Sequence, residues 1–157
     1  MHALSALFVL VGCGGGGTAE VTGTVAGHQI GEIKTAMHGG PFIVLLDSEV
    51  DCIDLAWVDT NYQDGSSPAP DLSFAGVQFQ FAEAPLEGTF SVYGDSTVLT
   101  YGFDNNGESF AVEGGRDGTL TIDEVSDDVI VGSFDVTYVE GSASGTFETE
   151  YCRNLRP

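Results

Sequence analysis

Short stretches of alternating apolar and polar residues run through most of the chain, and turn-forming residues separate them. Alternation with a period of two is typical of strands that bury one face and expose the other. The clearest examples are residues 119–123, 130–138 and 147–151. The pattern predicts an all-β fold: an antiparallel β-sandwich of roughly eight to ten strands, with a closed up-and-down β-barrel as the alternative.

Two stretches depart from simple alternation. Pro41–Leu46 is more continuously apolar, which predicts a central strand. Between Leu72 and Phe81 the alternation slips by one residue at Ala75-Gly76, which predicts a β-bulge.

Helix-forming sequence is scarce, and the fold is predicted to contain at most one short helix. The candidate is Val50–Val58, where Asp51 can cap a first turn, and a further strand fits this segment equally well. Gln63–Asp71 predicts a surface loop because its two prolines exclude regular strand pairing.

A recurring tripeptide supports the β prediction: glycine, then serine or threonine, then an apolar residue. Glycine suits a strand entry or a bulge, the hydroxyl side chain suits the exposed face, and the third residue points inward. The spacing is irregular, which excludes a solenoid or propeller repeat. The motif begins at Gly23, Gly88, Gly118, Gly132 and Gly145.

The N-terminal segment has the pattern of a bacterial lipoprotein signal. An apolar run from Ala3 to Val11 leads into Gly12-Cys13, and four glycines follow. The run is too short to span a bilayer, which needs about 20 residues. We therefore expect a signal peptide at residues 1–12, a lipid on Cys13, a glycine-rich tether at 13–18 and a single domain at 19–157.

Two details refine this expectation. Met1-His2 lacks the Lys or Arg that normally opens a secretory signal, which predicts that the natural start lies upstream, with inefficient export as the alternative. Gly14 stands where aspartate retains enterobacterial lipoproteins at the inner membrane. Its presence favours an outer-membrane location.

The charge of the chain restricts its partners. The sequence has 24 acidic and four basic residues, for a formal net charge of −20. Nucleic acid is excluded as a partner, since binding requires cations that displace phosphate counterions. An anionic membrane face would repel the domain, so a lipid must hold it there. The acidic surface is explained most simply as a means of maintaining solubility, and the alternatives are adaptation to saline surroundings and recruitment of divalent cations or basic partners.

Of the three cysteines, one lies in the N-terminal segment and two lie in the predicted domain. With Cys13 lipidated, Cys52 and Cys152 remain as an even pair in an oxidising compartment, which predicts a disulfide. The alternatives are a metal pair, which would need CxxC spacing or nearby histidines, and a catalytic thiol, which would need a partnered histidine.

One acidic segment has features of a calcium site. Asp104, Asn106 and Glu108 place oxygen ligands at alternate positions, but Gly107 comes too early for the calcium-loop pattern. Asn-Gly between two apolar segments is a strong hairpin signal. We expect a turn here, and we assign no metal and no cofactor.

The remaining candidates for chemistry are weaker. His28 and His38 are ten residues apart and are compatible with a shared metal site, but structural histidines are far commoner. Gly94-Asp95-Ser96 resembles the GDS motif of a lipase-like hydrolase family, which places its Asp and His near the end of the fold. Every histidine here precedes the motif, so we expect a turn and no catalytic residue.

Several short motifs together resemble small β-rich lipoproteins of Gram-negative bacteria, myxobacterial types especially. They are the lipobox, the Gly-Thr-Val-Ala-Gly of 23–27, the Asp47 and Cys52 that follow an apolar strand, the Gly-Ser-Phe-Asp-Val of 132–136 and the Ser-Gly-Thr-Phe…Cys of 144–152. The resemblance implies export, a β-rich domain and a Cys52–Cys152 bridge, and it implies no activity.

We therefore expect a lipid-anchored cell-envelope protein that serves as a non-catalytic binding or assembly module, with an envelope protein as its partner. The first alternative is a barrel-type carrier of a small apolar ligand. The second is a metal-dependent or hydrolytic enzyme.

Overall fold

The structure, a computed structural model, describes residues 17–52, 71–92 and 98–155. These residues form eleven strands and no helical element. In chain order the strands are β1 (Thr18–Val25), β2 (His28–Gln29), β3 (Thr35–Gly39), β4 (Phe42–Leu46), β5 (Phe74–Phe81), β6 (Gly88–Ser91), β7 (Val98–Asn105), β8 (Phe110–Gly114), β9 (Asp117–Val125), β10 (Val129–Thr137) and β11 (Ser142–Tyr151).

The strands form one continuous sheet in the order β6-β9-β10-β11-β3-β4-β5-β7-β8, and β1 pairs with both β11 and β2. All pairings are antiparallel except the one between β11 and β3. That parallel pairing joins only Glu150 with Met37 and Tyr151 with His38. The prediction of an all-β, mainly antiparallel fold is confirmed.

The sheet curls so that its two halves face each other. Three strands separate β5 from β10 in the sheet order. Nevertheless, the ring centroids of Phe79 on β5 and Phe134 on β10 are 5.0 Å apart, and Phe147 on β11 stacks on the same Phe79 ring. The result is an open half-barrel whose facing halves pack as the layers of a sandwich do.

The tripeptide motif supplies much of the inner core. Its third residues Val25, Leu120, Phe134 and Phe147 are buried there, and Phe90 packs against them. Gly118 shows why the first position is glycine: its φ is +137°, and a Cβ would lie 2.1 Å from a backbone oxygen of β10. The sheet's one register shift lies between Val131 and Gly132, within the β9–β10 pairing.

Strand β4 is buried on both faces, which confirms the central strand predicted for Pro41–Leu46. Ile43 and Leu45 belong to the inner core, whereas the alternate residues belong to a second apolar cluster on the outer face. Its buried members are Met37, Phe42, Val44, Leu46, Val50, Phe74, Phe103, Cys152 and Leu155.

The bulge predicted at Ala75-Gly76 is wrong. Strand β5 pairs in continuous register with β4 on one side and with β7 on the other. The alternation slips in the sequence because Phe74 packs in the outer cluster while Ala75 already faces the inner core. Both faces of β5 are apolar at this end, so no extra residue is needed to explain the pattern.

Several expectations concern residues outside the described ranges. These are the signal peptide and Cys13, most of Val50–Val58, all of the Gln63–Asp71 loop except its last residue, and Gly94-Asp95-Ser96. The first strand begins at Thr18, the last residue of the predicted tether. Within the described ranges, no helix has the length and apolar character to cross a membrane.

Candidate functional site

The most elaborate contacts lie where the curled sheet fails to close. Strand β8 leads into β9 through Gly115 and Arg116, and this connection crosses from one half of the sheet to the other. The Gly115 amide donates to the Thr100 carbonyl of β7 at 2.9 Å, and the Arg116 amide donates to the Thr137 carbonyl of β10 at 2.7 Å. We call this region the seam.

A buried tyrosine joins the two halves beside this connection. The hydroxyl of Tyr138, which follows β10, is 3.1 Å from the Thr100 hydroxyl of β7. Burial raises the pKa of the Tyr138 phenol well above its usual range; the Thr100 hydrogen bond opposes this shift, and the charge of Glu113 adds to it. The phenol therefore stays protonated and serves as a structural link.

Glu113 on β8 holds two turns that belong to the other side of the seam. One carboxylate oxygen accepts the Ala26 amide of the β1–β2 turn, and the second accepts the Glu140 amide of the β10–β11 turn at 2.9 Å. Ala26 and Gly27 have φ of 47° and 78°, as in a type I′ turn, and alanine adopts this conformation at a cost. The hydrogen bond that the Ala26 amide donates to Glu113 offsets that cost.

The Glu113→Gln variant is expected to lose about 1–2 kcal/mol of stability, because an amide offers one acceptor oxygen where the carboxylate offers two. Amide hydrogen exchange at Ala26 and Glu140 should accelerate, since these are the two donors involved. Glu108→Gln, at an exposed position in the β7–β8 turn, is the matched control and should leave both rates unchanged. Equal exchange in the two variants would contradict the role given to Glu113.

An open groove runs along the seam beside these turns. It has a volume of about 630 Å³. One wall is the segment from Ala111 to Arg116, and the other is formed by Ala26, Val139 and Glu140. The groove offers the exposed apolar side chains of Val112 and Val139, and the cation of Arg116 near the Glu113 carboxylate.

A second, smaller depression lies at the C-terminal end of β7, where β7 is close to β2 and to the end of β4. Here the His28 imidazole lies 3.5 Å from the Asp104 carboxylate. The carboxylate of Asp47 is occupied, because it accepts the Gly31 amide at 3.0 Å and the Ala75 amide at 2.7 Å. Asp47 therefore fastens the segment before β3 to β5, which is a structural role.

The segment considered as a calcium site forms the hairpin turn that the sequence predicts. The Asn106 side-chain oxygen accepts the amides of Glu108 and Ser109 at 3.0 and 2.9 Å. Gly107 has φ +84°, and the Asn106 amide closes the turn onto the Ser109 carbonyl. Asp104 contacts His28 instead. No group of three or more His, Cys, Asp or Glu in the described ranges is arranged to hold a metal ion.

The two histidines have separate surroundings. His28 is exposed and contacts Asp104. His38 is buried on β3, where its Nδ1 is 2.8 Å from the Thr149 hydroxyl and its ring packs on Tyr151. Burial lowers the pKa of the His38 imidazole, and the Asp128 carboxylate opposes this shift. His38 thus helps to hold β3 beside β11, at the short parallel pairing.

The disulfide between Cys52 and Cys152 is present, with a Cα–Cα distance of 5.5 Å and a sequence separation of 100. It joins the segment after β4 to the segment after β11. Cys152 is buried in the outer cluster together with Leu155, and Cys52 packs against this cluster. The bridge therefore holds the C-terminal segment against the outer face of the β3–β4 half of the sheet.

The seam residues were not predicted as a site from the sequence. Glu113 is one of many acidic residues, and its partners lie 87 and 27 positions away along the chain. No protein-family model, curated protein or solved structure matches this chain.

Proposed function

We propose that this chain is an exported lipoprotein, anchored through Cys13 to the outer membrane of a bacterial envelope, whose β-domain is a non-catalytic binding or assembly module. The observation that carries the proposal is the Cys52–Cys152 disulfide. Such bonds persist in oxidising compartments, and pairing these two cysteines leaves Cys13, in its lipobox context, as the odd cysteine.

The net charge of the chain supports a lipid anchor. With a net charge of −20, the domain would be repelled by an anionic membrane surface. Attachment at a membrane then requires a covalent lipid. Because a single acyl chain gives only marginal membrane binding, the several acyl chains of a bacterial lipoprotein would hold the domain more firmly.

The packed core favours a binding surface on the outside of the domain rather than a ligand cavity inside it. The rings of Phe79, Phe134 and Phe147 fill the space between the two halves of the sheet, with centroids 5.0 to 6.5 Å apart. The seam groove instead is open to solvent and bordered by turns, where binding residues are commonly placed.

Expression of the full chain in a Gram-negative host with a labelled fatty acid tests the anchor. We expect the wild type to incorporate label and to fractionate with the outer membrane, and Cys13→Ala to lose all label. Gly16→Ala, which keeps the cysteine, is the matched control and should be labelled normally. His2→Lys supplies the missing positive charge of the signal, so that poor export can be recognised.

If neither the wild type nor His2→Lys incorporates label, or if Cys13→Ala remains labelled, the proposed anchor is wrong. Outer-membrane sorting has its own test in the Gly14→Asp variant, which should move to the inner membrane in an enterobacterial host. Unchanged fractionation of that variant would contradict the sorting argument.

A further inference from the structure

Among the residues that the structure describes, strand β8 is an end strand of the sheet and pairs only with β7. Hydrogen bonds at both ends of this pairing, from Gly115 to Thr100 and from Asn106 to Ser109, set the alternation of its ladder. In an antiparallel pair the hydrogen-bonded positions recur every two residues, so Ala111 and Glu113 bond to β7. Val112 consequently directs its amide and carbonyl away from β7.

The same alternation directs the backbone of Gly114 away from β7. Neither Val112 nor Gly114 has a backbone hydrogen-bond partner on this outer side within the described residues. Two donor–acceptor sets therefore stand two residues apart on an open strand edge. Such an edge is a template for pairing with another strand.

The seam groove follows this edge. Every residue from Ala111 to Arg116 lines it, although side chains alternate between the two faces of a strand. A groove lined by all of them must run along the backbone edge. Val112 is 44% exposed, and Val139 on the opposite wall is 58% exposed. Each wall of the groove therefore offers an exposed apolar side chain to a ligand.

We propose that the β8 edge binds an extended segment of a partner protein as an additional strand, with its backbone paired to Val112 and Gly114 and an apolar side chain between Val112 and Val139. An extended polypeptide is the ligand whose donors and acceptors repeat at this spacing. The inference rests on the proposed binding function and names the class of partner.

Charge indicates which segment fits. A chain with a net charge of −20 repels a second copy of itself, so the occupant is a different protein. The groove walls carry one exposed acid, Glu140, and one exposed base, Arg116, so their charges balance and the net charge of the whole chain decides the preference. That net charge favours a basic residue in the segment. We therefore expect a neutral or basic segment with alternating apolar side chains.

The test uses the purified full chain and a random dodecapeptide display library. We expect selected peptides to be basic and alternating. Val112→Pro removes the outward amide without touching the β7 ladder, as proline is tolerated on strand edges, and should weaken peptide binding at least tenfold.

The matched control is a proline at the other edge of the sheet. The hydrogen bond from Val92 to Gly118 sets the β6–β9 ladder, so Thr89 on β6 also directs its amide outward. Thr89→Pro should leave affinity within about twofold, the scatter expected of a distant site. Equal weakening by both variants, or no selectable peptide, overturns the proposal.

A second measurement holds even where Val112→Pro fails to fold. A bound strand presents alternate amides to β8, so N-methylation of one alternating set in the selected peptide should abolish binding, and methylation of the other set should be tolerated. Loss with both sets, or with neither, overturns strand addition. A dimer that Val112→Pro dissociates would show that the occupant is a second copy, contrary to the proposal.

These measurements use protein in solution, so their failure leaves the lipid anchor on Cys13 untouched. Conversely, a chain that is not lipidated could still bind peptides at β8. The two proposals therefore fail separately.

Discussion

Replacing both Cys52 and Cys152 by serine is expected to lower the free energy of unfolding by about 3–5 kcal/mol. The disulfide closes a loop of 100 residues, and a long loop restricts the unfolded chain strongly. Cys152 is also buried beside Leu155, so its loss removes packing at the outer cluster. Urea unfolding followed by circular dichroism measures the difference.

The control is the wild type under reducing conditions. It should unfold at a urea concentration slightly above that of the double variant, because both lack the bridge but the reduced chain keeps the buried Cys152 side chain. An oxidised wild type that is no more stable than its reduced form would show that the bridge contributes nothing to the fold.

Phe79→Ala should cost about 3–5 kcal/mol, as large-to-small changes of buried aromatic residues do. The side chain is fully buried and lies where the two halves of the sheet face each other, in contact with Phe134 and Phe147. Its removal leaves a cavity that strands from both halves would have to fill by moving together. Thermal and urea unfolding of the variant report the loss.

Two further variants separate the cavity from general effects of substitution. Phe79→Leu retains part of the buried volume and should cost distinctly less than Phe79→Ala. Leu86→Ala removes a side chain that is 69% exposed and should change stability by no more than about 0.5 kcal/mol. A Phe79→Ala variant as stable as Leu86→Ala would contradict the packing described for the core.

The strands in the second half of the chain are predictable because each buries one face only. On β9, for example, Leu120 and Ile122 are buried between more exposed neighbours. Strand β3 is not predictable in this way, since all five of its residues are buried and no alternation remains. The misplaced bulge on β5 has the same cause, an apolar contact on each face.

The curl of the sheet could not be predicted from the pattern. Alternation specifies which face of a strand is buried, but not which strands become neighbours. The pairing of β11 with β3 brings residues 150–151 beside 37–38, and His38 and Thr149 fasten it by a buried hydrogen bond. Only the disulfide, predicted from cysteine number, indicated that the end of the chain returns to the region after β4.

The candidate site was predictable only in part. The Asn106-Gly107 turn follows from local chemistry, because its hydrogen bonds lie within four residues. The role of Glu113 depends on amides in two distant turns, and the open edge of β8 depends on the closure of the whole sheet. Neither leaves a local signal in the sequence.

The position of the disulfide also determines how the protein responds to a pulling force. When load is applied between the N- and C-terminal ends, tension passes directly from Cys52 to Cys152 through the bond. The residues between them cannot be drawn out, which withholds roughly 350 Å of chain at about 3.5 Å per residue. Strands β5 to β11 lie in that interval, so β8 and the Val139–Glu140 wall of the groove cannot be extended, whereas the wall at Ala26 lies before Cys52 and would be drawn away with β1 and β2.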